Sequence, residues 1–441
     1  MSARPIRRYL AAPGGCVSGV VQVPGDKSIS HRAAMLGGIA EGDTRIEGFL
    51  ASEDCLATLA ALGALGVRIE RPQPQRVLVH GVGPDGLRAA AQPLDMGNSG
   101  TAMRLAMGLL AGQAFDSTLV GDASLMRRPM ERVAVPLRTM GAHIETADGR
   151  PPVRIAGGHA LTAIDYALPV ASAQVKSAIL LAGLRAEGRT RITEPAPTRD
   201  HTERMLSAFG VELLRTEGAI AMEGGQGLRA TAVHVPGDFS SAAFFMVAGC
   251  LAAEGVLRLS NVGVNPTRTG LMELLQQMGA DIRVQRNEAR AGETEPTADI
   301  EVRASTLKGM RVPESMVSLA IDEFPVFFVA AACAEGETLV RGALELRVKE
   351  SDRLAVMADG LRALGVEHEL LPDGLWIRGG SAFSGGTVHS RGDHRVAMAF
   401  AIASLRARET IEILDVANVA TSFPGFVDCA RRCGLRLQEA A

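Results

Sequence analysis

Aromatic side chains are scarce: 441 residues include one Trp, two Tyr and 13 Phe. The core cannot rest on large rings and must be filled by Ala, Leu, Val and Met, which suit closely packed helices against small-residue sheets. Cysteine is sparse too. Cys16, Cys55, Cys250, Cys333, Cys429 and Cys433 include no CxxC pair, and no His joins the last two, so neither a disulfide framework nor a zinc site is indicated. Positive charge is not in excess; the net charge of -3 gives no global reason to expect nucleic acid or an anionic membrane as partner. No run of about 18 uncharged apolar residues occurs, and the basic start "MSARPIRRYLAAPGG" lacks the apolar stretch of a signal peptide, so a cytosolic protein is expected. Nucleotide and metal motifs are missing as well. "GDKS" does not have Walker A spacing, "GNSGTAMR" is not a Rossmann fingerprint, and neither HExxH nor an EF-hand is present. No cofactor or metal is therefore expected, and the chemistry must come from side chains.

What is present is repetition. A helix, then Gly, then a β-like run recurs as "ALGVRIE", "TMGAHIE", "AFGVELL", "QMGADIR", "ALGVEHE" and "RCGLRLQ", around Gly66, Gly141, Gly210, Gly279, Gly365 and Gly434. Each unit begins with an apolar stretch such as "TAMRLAMGLLAG" or "FPVFFVAAACA"; helices apolar on every side are buried. A strand, an amphipathic helix and two short strands follow, with closing strands such as "RVLVHG", "PVRIAGG", "AIAMEGG", "IEVRAS" and "LWIRGG". The fold class is α/β: six β-α-β-α-β-β units with sheets outside and apolar helices inside. The length suits two domains. "VPGD" occurs at Val23–Asp26 and again at Val235–Asp238, three units later, and marks two chain crossovers. The expected domains are 23–237, and 1–22 with 238–441. A plain strand-to-helix turn is the alternative for "VPGD".

Polar residues cluster where the helices start. Lys27, Ser28 and Arg32 open the first unit; Asn98, Gly100, Thr101 and Arg104 the second; Ser172, Gln174 and Lys176 the third; Asp322 with Glu323 the fifth; Asp393, His394 and Arg395 the sixth. Arg127 with Arg128, Arg199 with His201, Arg268 and "RVKESDR" begin the amphipathic helices. Helix N-termini carry unsatisfied N–H groups and partial positive charge, so with Lys and Arg beside them they form a trap for phosphate or carboxylate ligands. Two plainer alternatives stay open: Asp322 as a helix cap, and Lys349, Glu350 and Arg353 as the charge set of an exposed helix. Arg138, Arg431 and Arg432 are expected to be solvated charges.

The stretches "VPGDKSISHR", "GNSGTAMR", "GDASLMRRPM", "ASAQVKSA", "TRDHTERML", "IDEFP", "RVKESDR", "DHRVAM" and "TSFPGF" come in one order, and through them the chain resembles the 5-enolpyruvylshikimate-3-phosphate synthase family along its whole length. The resemblance implies a two-domain inside-out α/β barrel with the active site in the interdomain cleft, and an expected monomer. It also implies transfer of the enolpyruvyl group of phosphoenolpyruvate to the 5-hydroxyl of shikimate 3-phosphate. By the family pattern Lys27, Ser28, Arg32, Ser172, Ala173, Gln174, Arg199, Asp322 and Lys349 hold shikimate 3-phosphate. Lys27, Asn98, Gly100, Arg128, Arg353 and Arg395 hold phosphoenolpyruvate. Asp322 is similar to the family's general base, Glu350 to its proton carrier at the methylene carbon, and Lys27 touches both substrates. Departures are Leu105, where many members have Pro, and Ser422, where many have Lys. "TRDHTERML" and "NPTRTGL" look like the subgroup that includes glyphosate-tolerant enzymes, but those often carry Ala where this chain has Gly100, so sensitivity to glyphosate is expected. The rival within the wider family, the transferase acting on UDP-N-acetylglucosamine, usually has Asn in place of Ser28 and Cys in the loop that here reads "GDASLMRRPM". A silent repeat scaffold, or a nucleic-acid-binding protein of the same build, would not need Asp322, Lys349, Glu350 and four separated arginines together.

Overall fold

The computed structural model describes residues 7–288, 293–380 and 382–440. The chain forms two compact units, one of Gly25–Val235 joined by a short stretch ending at Glu295, the other of the remaining residues before Gly25 and after Val235. The two divisions that bound Gly25–Val235 each fall inside a "VPGD", after Pro24 and after Val235.

In each unit the sheets repeat one pattern, a parallel pair followed by two antiparallel strands. The first sheet of the Gly25–Val235 unit runs Ala232–His234, Glu41–Glu47, Arg76–Val82, Arg68–Gln73. The second and third, through Ser117–Val120 and Arg189–Thr193, copy it. The leading strand of the first sheet comes from the end of the unit, after the third repeat. In the other unit, Gly19–Val21 pairs in parallel with Val256–Gly263, and Arg8–Ala11 lies between Ile411–Leu414 and Leu437–Ala440. The chain start thus supplies the leading strand of the fourth repeat and the closing strand of the sixth. The fifth repeat has two isolated parallel bridges, Lys308 to Glu335 and Arg311 to Leu339, in place of its leading strand.

The apolar helices are Lys27–Ile39, Gly100–Leu110 and Ala173–Gly183 in one unit, and Phe239–Leu251, Phe324–Cys333 and His394–Ala403 in the other. Each packs among its sheets with almost every residue buried, as sequences apolar all round require. Five begin under a side-chain cap: Asp26, Ser99, Ser172, Asp238 and Asp393 each accept from a backbone N–H of the first turn. The two "VPGD" aspartates are therefore both helix caps. The Phe324 helix is the exception: Glu323 stands at its N-cap without a side-chain cap bond.

The amphipathic helices end alike. Gly66, Gly141, Gly210, Gly279, Gly365 and Gly434 all have positive φ, between 77° and 105°, the left-handed turn that stops a helix and starts the next strand. Arg138 Nε and Arg431 Nε each donate to the carbonyl six residues on, Ile144 O at 2.8 Å and Leu437 O at 2.6 Å, and Gln276 does the same to Ile282 O at 3.1 Å. Arg431 and Arg432 are exposed, as expected of solvated charges, and Arg138 is half-buried; Arg138 and Arg431 also brace this turn. Part of the extra length of the fifth repeat is the helix Glu314–Ala320, which packs on Gly270–Gln277. A Cβ at Gly270 would sit 2.7 Å from the Leu319 carbonyl carbon, so only glycine permits that approach.

Candidate active site

In the Gly25–Val235 unit the capped starts of three buried helices bring most of the candidates together. Lys27 is the first residue of its helix, and its ammonium lies 2.5 Å from Asp54 Oδ2. Arg32, one turn further in, is buried: Nε donates to Thr202 Oγ1 at 2.6 Å, one terminal nitrogen to Ser177 Oγ at 2.8 Å, and the other to Ser28 O at 3.0 Å. Burial pulls its guanidinium down to about 10, against Glu203 and Asp26, and leaves it charged at neutral pH. Arg199 lies in the loop before the His201–Ala208 helix, close enough for its charge to act on Arg32.

The second repeat supplies an arginine cluster. Arg128 follows the turn Leu125–Arg127 and donates to Asn98 Oδ1 at 2.6 Å and Ser124 Oγ at 3.2 Å, while Asn98 donates to Asp122 Oδ2 at 2.7 Å. Arg104 reaches Gln174 Oε1 at 2.5 Å, and Gln174 in turn donates to Thr101 Oγ1 at 2.9 Å, which joins the second repeat to the third. Gly100 sits among these groups; a Cβ on it would lie 3.2 Å from a terminal nitrogen of Arg104 and 3.3 Å from one of Arg128. Ser172 caps the helix that Ala173 begins, and its hydroxyl oxygen accepts from Val175 N at 3.5 Å. Lys176 takes no part. It is buried and clamped between Glu194 Oε2 at 2.8 Å and Glu203 Oε1 at 2.6 Å, a closed internal network.

Sequence reasoning did not single out His31, though the motif contains it. Its ring is fully buried, with Nδ1 2.7 Å from Thr58 Oγ1 and Nε2 3.2 Å from Ser99 Oγ, so it ties the Lys27 helix to the cap of the Gly100 helix. Burial, then the charges of Lys27 and Arg32, hold its pKa well below 6.5 and keep it neutral.

In the other unit the centre is Arg353, the first residue of the helix Arg353–Ala363 and 1% exposed. Its Nε meets Asp393 Oδ2 at 2.9 Å, and its terminal nitrogens meet Asp322 Oδ1 at 3.1 Å and Glu350 Oε2 at 2.5 Å. Burial alone would lower its pKa; Asp393, Glu350 and Asp322 overcome that and raise it. Lys349 Nζ is 3.3 Å from the same Asp322 oxygen. Burial lowers the Lys349 pKa from 10.5, with Asp322 pulling the other way. Lys349 and Glu350 lie in the turn ahead of the helix and Arg353 inside it, so the alternative of an exposed helical charge set does not hold. Asp322 Oδ1 is engaged by two cations and Glu323 occupies the N-cap, which removes the main support for Asp322 as a cap. Arg395 donates to Asp322 O at 3.1 Å. Asp393 does two things at once: Oδ1 accepts from Arg395 N at 2.9 Å while Oδ2 holds Arg353. Ser422 follows the turn Ala417–Thr421.

Each half therefore presents cations at helix starts, and one half adds two carboxylates on a single guanidinium. Cations at helix starts suit anionic ligands, and a pair of carboxylates can move protons. Among the described residues no group of three or more His, Cys, Asp or Glu could hold a metal ion, and no helix is long and apolar enough to cross a membrane.

Comparison with known proteins agrees over the full length. The family profile described as EPSP synthase (3-phosphoshikimate 1-carboxyvinyltransferase) matches residues 11–429. A 3-phosphoshikimate 1-carboxyvinyltransferase of Methylococcus capsulatus is 59% identical, covering 98% of each chain, and one of Alkalilimnicola ehrlichii is 61% identical, covering 96% of this chain and 95% of the other. Among solved structures, EPSP synthase from Acinetobacter baumannii superposes with a TM-score of 0.87 at 53% identity, covering 99% of this chain and all of that one.

Proposed function

Because the chain belongs to the EPSP synthase family, with its two-domain fold and its transfer of a carboxyvinyl group in the shikimate pathway, we propose that Asp322 and Glu350 divide the proton chemistry of that reaction. The acceptor hydroxyl of shikimate 3-phosphate is a weak nucleophile, so Asp322 takes its proton as it attacks C2 of phosphoenolpyruvate. Glu350 protonates C3, which builds the cationic character at C2 that attack requires. The tetrahedral adduct then loses phosphate, and Glu350, left as a carboxylate by the first step, takes a proton back from C3 to regenerate the double bond. The observation that carries this assignment is Arg353, which holds Asp322 and Glu350 on neighbouring nitrogens of one buried guanidinium. Two carboxylates with separate tasks are thereby kept close and distinct.

The remaining candidates bind. Lys27, Ser28, Arg32, Ser172, Ala173, Gln174, Arg199 and Lys349 are assigned to shikimate 3-phosphate. Arg128, Arg353 and Arg395, with Asn98 and Gly100 alongside, are assigned to phosphoenolpyruvate. Lys27 is assigned to both substrates, with its ammonium as donor to the departing phosphate. The support is chemical: helix starts bearing Lys and Arg complement phosphate and carboxylate groups. One chain carries both sets of residues, so the proposed enzyme acts as a monomer on soluble substrates.

The test is phosphate release from phosphoenolpyruvate with shikimate 3-phosphate or UDP-N-acetylglucosamine as acceptor. Release with the first alone is expected. Equal release with the second, or none above background with either, would overturn the assignment.

A further inference from the structure

Five of the six buried helices start under a capping side chain, and the sixth does not. At the Phe324 helix the N-cap carboxylate of Glu323 turns away from the backbone and is 1% exposed. It accepts a hydrogen bond from Ser240 Oγ and stands 3.7 Å from a terminal nitrogen of Arg395. The same Arg395 nitrogen donates to the Asp322 carbonyl. Ser240 also accepts from Arg268 at 2.8 Å, and Arg268 is paired at 3.2 Å with Asp238, the cap that closes the second "VPGD". A buried line of polar contacts thus runs from the second chain crossover through Arg268, Ser240 and Glu323 to Arg395.

We infer that Glu323, fixed by Ser240 and Arg268, is the positioning residue for Arg395, and through it sets the affinity for the carboxylate or phosphate of phosphoenolpyruvate. The inference rests on the assignment of Arg395 to that substrate. A helix N-terminus left without a side-chain cap forgoes a stabilising hydrogen bond, so the carboxylate is engaged elsewhere to some end. A buried carboxylate also needs compensating partners, and here these are one hydroxyl and the arginine. A guanidinium on a long flexible stem binds an anion well only when it is held in advance, and Glu323 and the Asp322 carbonyl both engage one terminal nitrogen of Arg395.

The two "VPGD" copies acquire different uses on this account. Asp26 and Asp238 cap equivalent helices, and Ser28 and Ser240 each follow their aspartate by two residues. The first serine is placed among the shikimate 3-phosphate ligands, whereas the second reaches sideways to hold a carboxylate behind Arg395.

The experiment compares Glu323→Gln, Ser240→Ala and Arg395→Lys with wild type, measuring KM for each substrate separately by phosphate release, and thermal unfolding. Gln keeps the shape of Glu and Ala fills most of the space of Ser, so folding is expected to survive in both. Glu323→Gln is expected to raise KM for phosphoenolpyruvate about tenfold, with Ser240→Ala in the same direction, while KM for shikimate 3-phosphate stays within about twofold. In the Arg395→Lys background Glu323→Gln is expected to add nothing. An unchanged or lowered KM for phosphoenolpyruvate in Glu323→Gln, or an equal rise for both substrates, overturns the inference. If Arg395→Lys itself leaves that KM unchanged, the assignment of Arg395 fails first, and the two failures are told apart.

Discussion

Replacing Gly100 by Ala adds one methyl at a crowded point of the site. Gly100 has no positive φ and opens a helix, so the backbone accepts Ala, which is up to ~1 kcal/mol better in helices. The new Cβ would lie 3.2 Å from a terminal nitrogen of Arg104 and 3.3 Å from one of Arg128. Both are ends of flexible side chains, so the fold yields by moving guanidinium groups rather than backbone. Arg128 is anchored on Asn98 at 2.6 Å, and shifting it misaligns a charge-assisted hydrogen bond to an anion, a loss of about 1.5 kcal/mol or roughly tenfold in KM for phosphoenolpyruvate. If glyphosate, the longer ligand, occupies the pocket proposed for phosphoenolpyruvate, it meets the methyl as well; overpacking of about 1–3 kcal/mol in addition gives a rise in its inhibition constant of about a hundredfold or more. The assay is steady-state phosphate release with phosphoenolpyruvate and glyphosate varied, beside thermal unfolding. Unchanged KM and inhibition constants in Gly100→Ala would refute the reasoning. A wild-type inhibition constant in the millimolar range, far above KM, would refute the expected sensitivity. A fall in Tm of more than about 4 °C would mean that the methyl disrupts packing instead.

Further outcomes follow from the same geometry. His31 is held neutral with a pKa well below 6.5, while in the unfolded chain it binds a proton near 6.5, so stability falls as pH drops below 6.5; the slope should flatten in His31→Phe, which loses about 2 kcal/mol at neutral pH from its contacts with Thr58 and Ser99. Denaturant titrations at several pH values check this, and an unaltered slope contradicts it. The depressed pKa of Lys349 means it loses its charge below the usual 10.5, so KM for shikimate 3-phosphate should begin to rise at a lower pH in wild type than in Lys349→Arg. Of the six cysteines only Cys16 is exposed, and burial pushes the Cys55, Cys250 and Cys333 thiols up to about 12; Ellman's reagent should titrate one thiol rapidly in the native protein and all six after denaturation.

The helix pattern was legible because each repeat writes it in the same way: apolar on every side for the inner helix, a landmark glycine after the outer one. The strand pattern was less so. Five closing strands stand out in the sequence and the sixth does not, since it is Arg8–Ala11 at the far end of the chain, and four residues carry too little periodicity to declare themselves. The parallel leading strands are two or three residues long in several repeats and escape for the same reason. Among site residues, the cations at helix starts could be read because charge is out of place beside apolar runs. Their counter-ions could not. Asp54 against Lys27 resembles an ordinary surface acid until the fold buries it, and Glu323, though it stands beside Asp322 at a helix start, gives no sign in the sequence that Arg395 is its partner. Lys176 shows the reverse error: its position at a helix start matches the ligand pattern, yet Glu194 and Glu203 enclose it.

The most direct test of the account is the turnover of Asp322→Ala at saturating substrates, with folding checked by thermal unfolding. Arg353 keeps Asp393 and Glu350 as counter-ions in this variant, so the fold should persist. A folded variant whose phosphate release falls about a thousandfold is predicted, as removal of a general base requires. A folded variant that turns over within about tenfold of wild type would contradict the assignment of the base and, with it, the division of labour between Asp322 and Glu350.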